Sequence, residues 1–166
     1  KFKIFKNSYT VIDLGAAPGS WSQFAAKKVK NGKIVSVDLK EMDKIHNTFQ
    51  IEGDFTDNVI QNKIKENFSK KVDVVISDMA VNTTGNKNID SIVTGELCID
   101  AMNFSIKMLK KNGKFVSKIF MGSTFNEIVF NAKKNFRETN IFKPLASKKE
   151  SKENFIICKF LRKYDT

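Results

Sequence analysis

Short apolar runs alternate with longer amphipathic stretches along this chain, and that alternation restricts the fold more than any single residue does. Tyr9–Leu14, Lys33–Asp38, Thr48–Glu52, Val72–Ser77, Lys114–Phe120 and Phe155–Phe160 have strand length and are rich in Val, Ile and Phe. Between them, apolar residues recur with helical spacing from Ser20 to about Val29, Asn58 to Asn67, Ile92 to Lys110 and Phe125 to Asn135. Asn31-Gly32 and Asn112-Gly113 supply turns from helix to strand. The pattern predicts an α/β chain with a doubly wound sheet. No repeat or low-complexity linker interrupts the 166 residues, so one domain is expected, with a core large enough to need no disulfide.

In open α/β sheets ligands bind beyond the carboxyl ends of the strands, which is where chemistry should be sought. The first such end reads Asp13-Leu14-Gly15-Ala16-Ala17-Pro18-Gly19-Ser20-Trp21, a turn of small residues that lets a ligand approach the backbone. It is neither GxGxxG nor GxxxxGK[ST] and holds no lysine for a phosphate, which points to a nucleoside of little negative charge. Asp38 follows Gly19 by nineteen residues, about the spacing at which an acid meets ribose hydroxyls in mononucleotide-binding units. Small residues also serve tight turns with no ligand.

Two further strand ends, Gly53-Asp54-Phe55 and Ser77-Asp78-Met79-Ala80, carry carboxylates toward the same place. Asp54 is equally suited to cap the following helix. Asp78 resists that explanation, because Ala80 to Gly85 reads as a loop. Lys118, in Phe115-Val116-Ser117-Lys118-Ile119-Phe120, is the most informative residue, since a lysine near the end of a buried strand is costly unless partnered. Beside carboxylates and partly desolvated, it is a candidate general base; on an edge strand it would merely be solvated. Glu153 precedes the run Phe155-Ile156-Ile157-Cys158 inside a basic stretch, where the bland reading is a solvated charge run.

The formal net charge of +11, from 29 basic and 18 acidic side chains, favours a polyanionic partner, although a compositional bias toward lysine gives the same excess. Lys133, Lys134, Arg137, Lys143, Lys148, Lys149 and Lys152 are candidate phosphate contacts. Cys98 and Cys158 lie sixty residues apart with one histidine in the chain, too few soft ligands for a zinc site, so no metal is expected. A reduced cytoplasmic or organelle-matrix setting fits the cysteines, and no run of eighteen apolar residues suggests a membrane span. Fifteen phenylalanines read as core packing before base stacking.

DLGAAPGSWSQ, the VDL containing Asp38, GDF, SDMAVNTTG, GKFVSKIF and the final SKENFIIC occur in the order seen in the RrmJ/FtsJ family of RNA ribose methyltransferases, which the chain resembles over nearly its whole length. The resemblance implies a Rossmann-like methyltransferase fold, a mostly parallel seven-stranded sheet with its last strand antiparallel, and S-adenosylmethionine as methyl donor. It also implies that Gly15, Gly19 and Trp21 lie along the cofactor, Asp38 binds its ribose, Asp54 meets the adenine and Asp78 sits at the methionine end. Asp78, Lys118 and Glu153 match three members of the family's Lys-Asp-Lys-Glu catalytic set. The implied reaction is transfer of the sulfonium methyl to a ribose 2′-hydroxyl, with a uridine of large-subunit (23S-type) ribosomal RNA as the expected target and a monomer as the expected state. Val81 stands where the family usually has proline. The family's first catalytic lysine belongs to a segment of the form SRAxxKL upstream of the stretch resembling Lys1–Lys6, so the expectation is an N-terminally trimmed chain. Alternatives within these residues are a tRNA or organellar rRNA enzyme of the same family, and a non-catalytic module that binds RNA and cofactor.

Overall fold

The computed structural model describes residues 2–80, 84–145 and 153–164. Among these residues seven strands and four α-helices follow in the order β1 (Thr10–Leu14), α1 (Ser20–Lys28), β2 (Lys33–Asp38), β3 (Thr48–Glu52), α2 (Asn58–Glu66), β4 (Val72–Ser77), α3 (Lys87–Met108), β5 (Leu109–Phe120), α4 (Phe125–Asn135), β6 (Phe136–Phe142) and β7 (Glu153–Leu161). The sheet order is β3-β2-β1-β4-β5-β7-β6. β1 to β5 pair in parallel, and β7 runs antiparallel to both β5 and β6. This is the expected mostly parallel sheet whose last strand is reversed.

The central strands are apolar on both faces because both faces are covered. Val11, Ile12 and Leu14 of β1 and Val74 and Val75 of β4 are fully buried. On one face α2 contributes Ile60 and Ile64 and α3 contributes Cys98, Ala101, Met102 and Ser105, all at helical three- and four-residue spacings. Phe104, Phe115 and Phe136 fill that layer, with the rings of Phe115 and Phe136 stacked 6.4 Å apart. On the other face Ala25 and Val29 from the α1 side meet Val11, Ile34, Val74, Ile76 and Val116, with Phe2, Ile4, Phe5 and Tyr9 packed beside them. Nine of the fifteen phenylalanines are buried in or packed against these layers, whereas Phe24, Phe49 and Phe130 are exposed.

Three differences from the sequence reading have physical causes. β6, Phe-Arg-Glu-Thr-Asn-Ile-Phe, was not among the apolar runs, because as the outermost strand it exposes Arg137, Glu138 and Asn140. α3 begins at Lys87 and not at Ile92, since Asn86 caps it by accepting hydrogen bonds from the amides of Asn88 and Ile89. Asn112-Gly113 falls inside an irregularity of β5, where Leu109 pairs with Val72 but Lys114 with Val74. At Gly32 the need for glycine is steric: a Cβ there would lie 1.9 Å from the Tyr9 carbonyl oxygen.

Basic residues gather at the edge where the parallel strands begin. Lys27 and Lys28, Lys63 and Lys65, Lys107, and Lys133 and Lys134 occupy the last turns of the four helices, where the helix dipole favours a positive charge. Replacing Phe115, fully buried at the centre of the larger layer, by alanine is expected to cost about 3–5 kcal/mol. Urea unfolding measures that loss, and a change below about 1 kcal/mol would contradict the packing described.

Candidate active site

The sheet order reverses between β1 and β4, and a cavity of about 500 Å³ opens at the carboxyl ends of the strands there. Each of four strand ends contributes to its wall: Gly15 and Ala17 after β1, Asp38 and Leu39 at β2, Asp54 and Phe55 after β3, and Asp78 and Met79 after β4. Among the described residues Lys40 is the one cation in its lining, so that part of the wall is rich in acceptors and poor in side chains to hold a phosphate.

The glycine turn is tied down through its backbone. The amides of Gly15 and Ala16 both donate to the Val37 carbonyl oxygen, at 2.8 and 3.1 Å. Gly15 has φ +69°, and a Cβ on it would lie 2.1 Å from Met79 Cγ, so the turns after β1 and β4 touch only because this residue has no side chain. Gly19, φ +115°, opens α1 with no side chain capping it. Asp38 spans the turn: Oδ2 accepts the Ala17 amide and Oδ1 the Lys40 amide, each at 2.9 Å. Asp54 is not the cap of α2. That cap is Asp57, which accepts from the Val59 amide at 2.9 Å, whereas Asp54 Oδ1 accepts the amide and hydroxyl of Thr56.

Beside this cavity Lys118 reaches from β5 to Asp78, with Nζ 2.7 Å from Oδ1. Glu153, at the start of β7, lies 3.8 Å away on the other side. The lysine side chain retains 15% of its exposure, enough to meet a substrate and little enough to strengthen its interactions with charge. The sequence-predicted residues therefore converge, with two exceptions. Trp21 and Gly19 are not among the residues lining the large cavity. Trp21 instead packs on Phe155, ring centroids 5.3 Å apart, and borders a second, apolar cavity of about 250 Å³ with Phe5, Phe24 and Val116.

The structure also divides the predicted phosphate contacts. Lys133, Lys134 and Arg137 lie at the edge opposite the Lys118–Asp78–Glu153 cluster, while Lys143 follows the other end of β6. Lys148, Lys149, Lys152 and Val81 fall outside the described residues. Cys98 and Cys158 are buried, and burial pushes both thiols up, that of Cys98 to about 11, which leaves them inert at neutral pH. Among the described residues no group of three His, Cys, Asp or Glu is placed to hold a metal ion, and no helix is long and apolar enough to cross a membrane.

One residue went unassigned by sequence reasoning. Asp13 is fully buried beneath the glycine turn, with Oδ2 accepting the Ser22 hydroxyl at 2.5 Å and Oδ1 without a hydrogen bond. Ser22 in turn meets Ser36 at 2.6 Å. The available signal was a charged residue inside the apolar run Tyr9–Leu14. Burial pushes its carboxyl up to about 7; the Ser22 hydroxyl opposes the rise, and the charges of Asp78 and Asp38 add to it. Between an unfolded value of about 3.9 and about 7 the folded chain therefore holds a proton that the unfolded chain has released. Stability should fall as pH rises through that window. Asp13→Asn removes the titration, so the wild type should lose a few kcal/mol relative to the variant between pH 5 and pH 8 in urea unfolding. Parallel profiles would contradict the assignment.

Residues 1–161 match the model of the FtsJ-like methyltransferase family. Over 162 residues the sequence is 66% identical to ribosomal RNA large subunit methyltransferase E of Pelagibacter ubique, covering 98% of this chain and 80% of that protein. The Rickettsia felis protein of the same name is 41% identical over 164 residues, covering 95% of this chain and 72% of the relative. Among solved structures, a Plasmodium falciparum protein described as a ribosomal RNA methyltransferase superposes with a TM-score of 0.83 at 30% identity, covering 95% of this chain and 88% of the other. Fibrillarin of Methanococcus jannaschii, a pre-rRNA processing protein, superposes with a TM-score of 0.67 over 96% of this chain and 70% of its own, at 17% identity, a likeness of fold alone.

Proposed function

The chain belongs to the FtsJ-like methyltransferase family, and on that premise we propose that it transfers a methyl group from S-adenosylmethionine to a ribose 2′-hydroxyl of ribosomal RNA. The observation that carries this reading is the Lys118–Asp78 pair, 2.7 Å apart, at the edge of the acceptor-lined cavity. The names of the relatives at 66% and 41% identity support large-subunit rRNA as the substrate.

The cavity suits the cofactor on chemical grounds. Its volume lies within the usual range of small-molecule sites. Its carboxylates match a ligand of hydroxyl and amino donors with a positive charge. Asp38, though it accepts two backbone amides, keeps lone pairs for ribose hydroxyls. Asp54 would take the base and Asp78 the methionine end, while Gly15 lines the wall without a side chain. When bound, the cofactor supplies a methyl group made electrophilic by its sulfonium.

The chain's own residues then have defined tasks. As an ammonium Lys118 has three N–H donors. The Asp78 carboxylate, 2.7 Å from Nζ, fixes the direction of the side chain by ion pairing, so that an N–H can donate to the 2′-oxygen as the hydroxyl proton passes to water and negative charge builds on the oxygen. As a neutral amine it can instead accept the hydroxyl proton. Glu153 holds the lysine from the far side or orients the target ribose. Holding the hydroxyl in line with the methyl supplies much of the acceleration. A 2′-hydroxyl acceptor also selects RNA over DNA.

In the complete gene product, Lys118→Met should lower labelled methyl transfer to undermethylated ribosomal particles by about 100-fold or more. S-adenosylhomocysteine affinity, read by calorimetry, should stay within about threefold, because the lysine acts on the acceptor. Unimpaired transfer in the variant would overturn the assignment.

A further inference from the structure

Thr56 lines the cavity beside Asp54, and both its donors point at one carboxylate oxygen. Asp54 Oδ1 accepts the Thr56 amide at 2.9 Å and the Thr56 hydroxyl at 2.7 Å. The backbone here is also held, since the Gly53 amide donates to the Asp38 carbonyl oxygen at 2.8 Å. An aspartate closing a turn through its amide alone can rock about its last torsion, which is broad and soft. A second donor on the same oxygen opposes that rocking and leaves Oδ2 as the acceptor not used within the turn.

We infer that Thr56 is a positioning residue for base selection: by committing Asp54 Oδ1 it presents Oδ2 alone to the base edge, which sets a preference for a 6-amino over a 6-oxo purine. The inference rests on the reading of Asp54 as the residue that meets the base. An amino group at that position donates to the carboxylate, whereas a 6-oxo group brings a second acceptor against it. Sites built to pair one polar group reject the analogue that leaves their own group unpaired. Thr56 also has a structural role, closing the turn that leads into α2. That role belongs to the amide, which a valine retains, and the helix itself is capped by Asp57.

The test is calorimetric binding of S-adenosylhomocysteine and S-inosylhomocysteine to the wild type, Thr56→Val, Thr56→Ser and Asp54→Asn. The wild type should prefer the adenosyl compound by at least about tenfold. Thr56→Val should cut that preference by about three- to tenfold, and Thr56→Ser, which keeps the hydroxyl, should restore it. Asp54→Asn can turn an amide N–H₂ toward the base and should erode or reverse the preference. Equal weakening of both ligands by Thr56→Val, with the ratio unchanged while Asp54→Asn collapses it, would overturn the role of Thr56 and leave that of Asp54 standing. An unchanged ratio in Asp54→Asn would overturn both.

Discussion

The ion pair between Lys118 and Asp78 is the interaction on which the arrangement of the site depends, and it is a product of strand direction. Ser77 of β4 and Ser117 of β5 are paired in the parallel register, so the next residues, Asp78 just beyond β4 and Lys118 within β5, stand at the same level. Nζ then meets Oδ1 at 2.7 Å with little adjustment. Glu153 joins them only because β7 is reversed. Being antiparallel, β7 brings its first residue opposite Phe120, at the carboxyl end of β5. A parallel last strand would have carried Glu153 to the other edge of the sheet. The reversal of one strand thus completes a cluster that parallel strands alone would leave with two members.

Charge is distributed along the same axis. The carboxyl ends of the strands gather Asp38, Asp54, Asp78 and Glu153, and Asp13 lies beneath them without solvent. The opposite edge gathers the lysines of the helix C-termini. Much of the basic excess thus answers helix dipoles, and its sum says less about RNA than its sign suggested. Inside the acidic cleft, Lys118 lowers the repulsion among carboxylates that would otherwise disfavour one another. A ligand bearing positive charge does the same, which is why a cavity so lined discriminates against phosphates.

Much of this was legible in the residues because the features are local. Lys33–Asp38, Thr48–Glu52 and Val72–Ser77 have the same limits as sequence runs and as strands. Asp38, Asp54, Asp78 and Lys118 were found by asking what stands at the ends of apolar runs, and the topology of an α/β sheet brings those ends together. What was not legible depends on packing between distant segments. The rotation of α1 decides that Trp21 faces Phe155, and no local pattern encodes that rotation. The assignment of Lys133 and Lys143 to opposite edges follows from the path of β6, whose charged residues hid it as a strand. Asp13 looked like a motif residue until its burial was visible.

The role proposed for the Lys118–Asp78–Glu153 cluster is to serve a ribose hydroxyl, and the chemical identity of the methylated product is its sharpest test. Ribosomal RNA from undermethylated particles would be incubated with the complete gene product and isotopically labelled S-adenosylmethionine, then digested to nucleosides and resolved by mass spectrometry. The account predicts that the label resides on the ribose of a 2′-O-methylnucleoside. Label on a base, with none on ribose, would contradict it.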